Sequence, residues 1–216
     1  MAKAKKLVKA EEQAMTVKAP EFIVQEFHIY GTAPYCQNKF SGTKKEGMLR
    51  TQQQTKGTSR KAKAPRDIEE DFEGAIHRTP DGKYGIPSTA FRNALISACR
   101  VAGLVMTKAK LSIFCVADVF DPIDGTPLTY IIGGEPEMNK STVRLESGVT
   151  SIAIRPLWNE WEAKVKLRWD ADQFSRQDVA NLLERAGQQV GIGEGRHDSK
   201  KSNGCGWGSF TLVSPE

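Results

Sequence analysis

The clearest pattern in the chain is the alternation of apolar and polar residues over residues 161–169 (WEAKVKLRW). The odd positions are apolar and the even positions are charged, so a strand here would have one dry face and one solvated face. This pattern is typical of a strand in an antiparallel sheet that packs on one side only. Residues 21–30 (EFIVQEFHIY) are rich in β-branched and aromatic residues and predict a second strand.

Five further stretches are short and apolar enough to predict strands. They are residues 111–120, 128–132, 142–145, 150–155 and 209–213. We expect the first of these, LSIFCVADVF, to be buried. Residues 121–125 (DPIDG) predict a turn, because Asp, Pro and Gly favour turn conformations.

Two stretches predict helices. Apolar residues recur at helical spacing over residues 88–102, and Ser88 is expected to accept hydrogen bonds from the first free amides. The same periodicity runs over residues 175–190, where Ser175 and Asp178 are spaced as a capping box.

The order of these elements is strand–helix–strand followed by a second strand–helix–strand. This order predicts an α+β, ferredoxin-like (RRM-like) fold, in which two helices cover one face of an antiparallel sheet. We expect one domain over residues 20–216, preceded by a basic N-terminal arm over residues 1–19. A long basic insertion over residues 31–85 would separate the first strand from the first helix.

Charge is distributed unevenly along the chain. Residues 1–66 contain 14 Lys and Arg against 5 Asp and Glu, a net charge of +9, whereas residues 67–216 have a net charge of −4. A segment as basic and as poor in large apolar residues as 39–66 does not bury itself, so the insertion is either functional or disordered. A polyanionic partner is expected, nucleic acid before a membrane surface. A basic end that only increases solubility is the simpler alternative.

Composition excludes several classes of protein. Hydrophobic residues make up 39% of the chain, and no apolar run approaches the ~20 residues of a membrane-spanning helix. The basic start is not followed by the apolar core of a signal peptide, so we expect a cytoplasmic protein. The four cysteines are far apart, which favours reduced thiols over disulfides or a zinc site. We expect no cofactor.

Two segments are candidate binding surfaces for phosphates. The first is a loop with six glycines over residues 191–208, whose backbone amides could approach a phosphate chain closely. Its basic side chains are Arg196, His197, Lys200 and Lys201. The second is the polar face of the alternating strand, which carries Lys164, Lys166 and Arg168. The simpler alternatives are a flexible loop and an ordinary solvated sheet face.

Catalytic chemistry has little support in the sequence. His28, His77 and His197 do not have the spacing of metal ligands. A metal-independent ribonuclease needs only one well-placed histidine, which makes His77 and His197 the candidates. The simpler interpretation of each is a surface histidine, and we therefore expect a binding protein.

Two motifs resemble those of a known family. Residues 85–95 (GIPSTAFRNAL) resemble the opening of the first helix in the RAMP superfamily of CRISPR-associated proteins. The glycine-rich loop resembles the second signature of that superfamily, which ends in Gly-x-Gly-x-Phe. The order of elements and the basic insertion are similar to those of the backbone subunit of CRISPR effector complexes.

This resemblance implies a ferredoxin-like palm, a thumb formed by the insertion, and subunits that polymerise along a guide RNA. The basic insertion and the acidic body favour a head-to-tail contact between copies, and the residues do not distinguish single-stranded RNA from DNA. Ser88, Thr89 and Arg92 would meet the nucleic-acid backbone at the start of a helix, where free amides favour phosphate. The insertion would contribute Lys44, Lys45, Arg50, Lys56, Arg60, Lys61, Lys63 and Arg66. Other CRISPR effector subunits are further possible partners. The alternatives are a RAMP-like endoribonuclease and a virus-borne or stand-alone relative that coats single-stranded DNA or acts as a protein decoy.

Overall fold

A computed structural model gives the protein a mixed α+β architecture with antiparallel sheets. It describes residues 17–40, 46, 49, 67–144, 148, 150–199 and 204–213. The α-helices are α1 (Ile68–Glu73), α2 (Ser88–Val101), α3 (Met106–Ser112) and α4 (Arg176–Arg185), and α4 continues as a π-helix over Ala186–Val190.

The strands are numbered in chain order. They are β1 (Phe22–Gly31), β2 (Tyr35–Cys36), β3 (Gly85–Pro87), β4 (Ile113–Val116), β5 (Val119–Phe120), β6 (Pro127–Tyr130), β7 (Ile132–Gly133), β8 (Glu137–Arg144), β9 (Thr150–Trp158), β10 (Trp161–Asp170) and β11 (Phe210–Leu212).

The main sheet has the strand order β11-β1-β10-β4, and every neighbouring pair is antiparallel. Strands β1 and β10 are at its centre, with Phe27 opposite Val165 and His28 opposite Lys164. The apolar face of β10 shares one core with the apolar residues of α2 and α4. In residues 161–169 the apolar positions therefore lie on the buried face of this sheet and the charged positions on the other face, as predicted.

Two smaller antiparallel sheets are present beside the main sheet. One has the order β2-β9-β8, and the other has the order β3-β6-β5. Strand β3 runs directly into α2, so its pairing with β6 fixes where that helix begins.

Several predicted elements are confirmed. The helix predicted over residues 88–102 is α2, and the capping box of Ser175 and Asp178 is present at the start of α4. The helix predicted over residues 175–190 changes to π geometry at Ala186. A side chain at Gly187 would lie 2.0 Å from the carbonyl oxygen of Phe210, so glycine allows the last strand to approach.

The buried strand predicted over residues 111–120 is wrong in part. Its first two residues belong to α3, and two short strands, β4 and β5, replace one long one. Leu111 is 72% exposed and Phe120 is 61% exposed, so their apolar side chains do not mark a core strand.

The flanks of the predicted insertion pack into the body of the protein. Tyr35 and Lys39 are buried on one side of the basic segment, and Ile76 and His77 are buried on the other. None of the helices in the described part of the chain is long and apolar enough to cross a bilayer.

The tryptophans of β10 provide a test of the core. Trp161 Nε1 donates a hydrogen bond to the Ala33 carbonyl at 2.9 Å, whereas the buried Trp169 Nε1 has no acceptor among the described residues. We expect Trp161→Phe to lower the free energy of unfolding by about 1 kcal/mol more than Trp169→Phe, because only the first loses a hydrogen bond. Urea denaturation of both variants measures this difference. Equal losses would contradict it.

Candidate nucleic-acid interface

A cleft of about 290 Å³ lies between α2 and the glycine-rich loop. On the helix side, Thr89, Asn93 and Ser97 line it at four-residue spacing, which places them on one helical face. On the loop side, Gly191–Gly193 and Arg196 line it, and His77 closes part of its wall. The cleft therefore joins the two segments that carry the family resemblance.

The start of α2 differs from the prediction. Pro87 occupies the N-cap position, and no side chain caps the helix. Ser88 is buried, and its hydroxyl pairs with that of Thr129 at 3.0 Å rather than with the helix amides. The positive end of the helix dipole is thus left without a side-chain cap beside the cleft, where an anion would be favoured.

The glycine-rich loop is packed rather than open. The Ile192 amide donates to the Gly208 carbonyl at 3.0 Å, and the Gly208 amide donates to the Pro34 carbonyl at 2.7 Å. The Glu194 amide donates to the Cys36 carbonyl at 2.9 Å. The expectation that this loop offers bare amides to phosphate is wrong for these three amides, because protein carbonyls already occupy them.

Arg196 is the basic side chain of the loop that lines the cleft. It is half-buried, and its Nη1 donates to the Gly193 carbonyl at 2.7 Å. Two acids, Glu194 and Asp198, also line the cleft. Each is close to an arginine outside the lining: Arg155 is 3.7 Å from Glu194, and Arg100 is 3.6 Å from Asp198. The arginines offset the acids, and among the described lining residues Arg196 remains as the cation available to a phosphate.

A buried charged cluster supports the wall of the cleft. The carboxylate of Asp121 is fully buried, and its Oδ2 accepts from Lys39 Nζ at 2.5 Å. The same oxygen is 2.9 Å from His77 Nδ1. The backbone amide of His77 donates to Gln37 Oε1 at 2.7 Å, so the position of the histidine is fixed through both its main chain and its ring.

The pKa values within this cluster are shifted. Burial lowers the pKa of His77, and the adjacent Lys39 lowers it further, against the opposing hydrogen bond to Asp121. Burial alone would raise the pKa of Asp121, but the hydrogen bonds from Lys39 and His77 outweigh it, and the net pKa lies below its ordinary value. At neutral pH the cluster therefore contains an ionised Asp121 and a neutral His77.

The same cluster contains a possible set of metal ligands. Ligand atoms of His77, Asp121 and Asp124 lie within 4.8 Å of one another. However, the ammonium of Lys39 is already bonded to the Asp121 oxygen that a cation would use. Lys39 supplies the compensating positive charge, so we assign no metal to these residues.

The predicted basic stripe lies on the opposite face of the main sheet. Lys166 is 2.8 Å from Asp118 and 3.9 Å from Glu26, and Arg168 stacks over the rings of Phe22 and Phe114. Lys164 is exposed beside a hydrogen-bonded pair of His28 and Glu162. Acids thus already pair with Lys166, and aromatic rings already contact Arg168. This stripe of basic residues is separate from the cleft.

The other predicted binding residues are placed as follows. Arg92 donates to the carbonyls of Lys110 and Ile113 and packs on Phe114, so it braces α3 and β4 and does not line the cleft. The ring of His197 packs against Gly206, also outside the cleft lining. The remaining predicted residues lie outside the described part of the chain: Lys44, Lys45, Arg50, Lys56, Arg60, Lys61, Lys63, Arg66, Lys200 and Lys201.

Several residues of the site were not predicted from the sequence. Asn93 and Ser97 extend the polar line that begins at Thr89, and their four-residue spacing was the signal that could have revealed them. Lys39 and Asp121 are 82 residues apart, and no local pattern relates them.

Comparison with known proteins finds no family model and no curated sequence that matches this chain. The interpretation of the cleft therefore depends on its own residues and on the two motifs.

The packing of the glycine-rich loop can be tested at Gly208. Its φ is +68°, and a Cβ there would lie 1.8 Å from the Ile192 carbonyl oxygen. Gly125 is a matched control, because its φ is +71° but its Cβ would meet nothing within 4 Å. We expect Gly125→Ala to lower the free energy of unfolding by about 1–2 kcal/mol, and Gly208→Ala by about 4 kcal/mol or more. Urea denaturation compares the two, and similar losses would contradict the packed loop.

Proposed function

We propose that the protein is a RAMP-like backbone subunit that binds single-stranded nucleic acid, RNA in the first instance, and oligomerises along it as in CRISPR effector complexes. One observation carries this proposal. Residues 85–95 and 191–208, which resemble the two family signatures, are far apart in the chain yet form facing walls of one cleft.

The topology of the main sheet supports the proposed ferredoxin-like core. If the four strands that frame α2 and α4 are numbered along the chain, the order β11-β1-β10-β4 becomes 4-1-3-2 with antiparallel neighbours. A βαββαβ chain with this order has both crossover helices on one face of the sheet. The opposite face carries the stripe of Lys164, Lys166 and Arg168.

The chemistry of the cleft suits a sugar–phosphate backbone better than a base. It combines one arginine, an uncapped helix start and the polar side chains of Thr89, Asn93 and Ser97. Contacts of this kind fix the position of a strand and do not read its sequence. We therefore expect binding that is largely independent of base sequence.

The assembly is proposed to be head to tail, with the basic segment of one subunit on an acidic surface of the next. Helix α1 presents Glu69, Glu70 and Asp71 in its first turn and has no basic residue in its last turn. The segment over residues 39–66 has nine basic residues against one acidic residue. An asymmetric contact between such unlike surfaces propagates along a strand instead of closing as a two-fold dimer.

Salt dependence tests the binding surface. Roughly four to six phosphate contacts on a single strand give a log–log slope of affinity against salt of about −3 to −4. We expect Arg196→Ala to make the slope shallower by about 0.7, because one phosphate contact is lost. Fluorescence anisotropy with a labelled single-stranded RNA measures the slope.

Two further variants complete this test. Lys164→Ala examines the opposite sheet face, and Arg176→Ala is a matched control at the exposed start of α4, outside both candidate surfaces. Both are expected to leave the slope unchanged. If Lys164→Ala changes the slope and Arg196→Ala does not, the strand lies on the sheet face and not in the cleft.

Self-association tests the assembly. We expect a variant with residues 44–63 replaced by a Gly/Ser bridge to remain monomeric when a long single-stranded oligonucleotide is added, because the linking charge is lost. The parent chain should form larger species whose mass rises with oligonucleotide length. Light scattering measures both. Species of equal size from the deleted variant would show that the segment does not link subunits, and a parent chain that never binds nucleic acid would favour the decoy alternative.

A further inference from the structure

His77 is a buried titratable residue that lines the cleft. Its side chain is only 9% exposed, and its Nδ1 is bonded to Asp121, which does not line the cleft. Its other ring nitrogen, Nε2, makes no hydrogen bond to any described residue. The sequence suggested an ordinary surface histidine here, whereas the structure buries this residue and includes it in the lining of the candidate site.

The partners of the ring determine which nitrogen carries the proton. An ionised carboxylate is only an acceptor, so Nδ1 must donate to Asp121. Lys39 lies 2.5 Å from the same carboxylate oxygen and keeps Asp121 ionised. In a neutral imidazole that donates through Nδ1, Nε2 carries a lone pair and accepts. A residue of the cleft lining therefore carries a hydrogen-bond acceptor that is fixed in place and has no donor among the described residues.

The chemistry of nucleic acids limits which group can satisfy this acceptor. Phosphate oxygens are themselves acceptors, and a deoxyribose has no hydroxyl at C2′. The ribose 2′-hydroxyl is a donor that lies beside the phosphate along the backbone. Arg196 and the start of α2 place the proposed phosphate path at this same cleft.

We propose that His77 Nε2 accepts a hydrogen bond from a ribose 2′-hydroxyl, and that this contact makes the protein select RNA over DNA. The inference rests on the proposed function, since it requires that a strand enters the cleft. It goes further, because it names the sugar and the residue that distinguishes it.

Three oligonucleotides of one base sequence test the contact: RNA, DNA and 2′-fluoro RNA. The 2′-fluoro strand keeps the ribose pucker of RNA but has no hydroxyl donor. The parent protein should bind RNA about 2- to 10-fold more tightly than either of the other two at each bound site, as expected for one net hydrogen bond. Equal affinity for RNA and 2′-fluoro RNA would overturn the inference, because sugar shape and not the donor would then be read.

Two variants assign the effect to His77. His77→Asn keeps an amide donor near the Nδ1 position for Asp121 but removes the acceptor at Nε2, and it should bring the RNA to 2′-fluoro affinity ratio close to 1. His28→Gln is the matched control, because His28 lies on the opposite face of the main sheet, paired with Glu162. It should keep the ratio of the parent. An unchanged ratio in folded His77→Asn would overturn the assignment.

A change of pH gives a readout that needs no variant. The charged groups around the ring are Asp121, Lys39 and Asp124, and those of the cleft lining are Arg196, Glu194 and Asp198. Burial holds the pKa of His77 below its ordinary value, so protonation, which turns Nε2 into a donor, requires a more acidic pH than for an exposed histidine. The preference for RNA over 2′-fluoro RNA should then disappear. A preference that persists at a pH where the NMR signals of the His77 ring show it protonated would contradict the inference.

Failure of the inference is distinguishable from failure of the proposed function. If no oligonucleotide binds, both fail. If RNA, DNA and 2′-fluoro RNA bind equally, the proposed function stands and the role of His77 falls. Cleavage of RNA that leaves 2′-fluoro RNA intact and that is lost in His77→Asn would also place the 2′-hydroxyl at Nε2, and it would favour the endoribonuclease alternative.

Discussion

The buried carboxylate of Asp121 is the interaction on which the candidate site depends. It receives Lys39 and His77 on one oxygen, and its other oxygen accepts from the Ile123 amide at 2.9 Å. Lys39 and His77 are 38 residues apart in the sequence, and a single carboxylate ties both of them to the turn before β6. Removing one partner from such a buried set typically costs 3–5 kcal/mol, because an unpaired charge remains.

The same network extends to the start of α2. Gln37 accepts from the His77 amide and donates to the Gly85 carbonyl at 2.8 Å, and Gly85 is the first residue of β3. Strand β3 leads into α2 without a connecting loop, so its pairing with β6 fixes the position at which the helix begins. Chain segments that are distant in sequence therefore meet in one rigid wall, and the wall orients the histidine.

Local patterns were sufficient for the central strands β1 and β10 and for the helices α2 and α4, because burial on one face leaves a periodic trace in the sequence. The alternation in β10 and the periodicity of α2 are of this kind. The cleft left no such trace. Lys39 belongs to a segment whose charge suggested solvent exposure, yet it is buried by a partner 82 residues away. Serine is a common helix N-cap, but the hydroxyl of Ser88 is hydrogen-bonded to that of the buried Thr129. Tertiary packing therefore overrides the local preference of serine for capping the helix.

The charge that would attract a nucleic-acid strand and the groups that would recognise its sugar belong to different parts of the chain. Beside both candidate surfaces, described acids are paired with described cations: Glu194 and Asp198 with Arg155 and Arg100 beside the cleft, and Glu26 and Asp118 with Lys166 on the sheet stripe. The excess of positive charge belongs to residues 1–66, at +9. Long-range attraction of a polyanion depends on such an excess and is screened by salt, whereas a hydrogen bond from a 2′-hydroxyl to a buried imidazole acts only at contact. Under the proposed function, the basic segment would therefore determine how strongly a strand is attracted, and the cleft would determine which sugar it accepts.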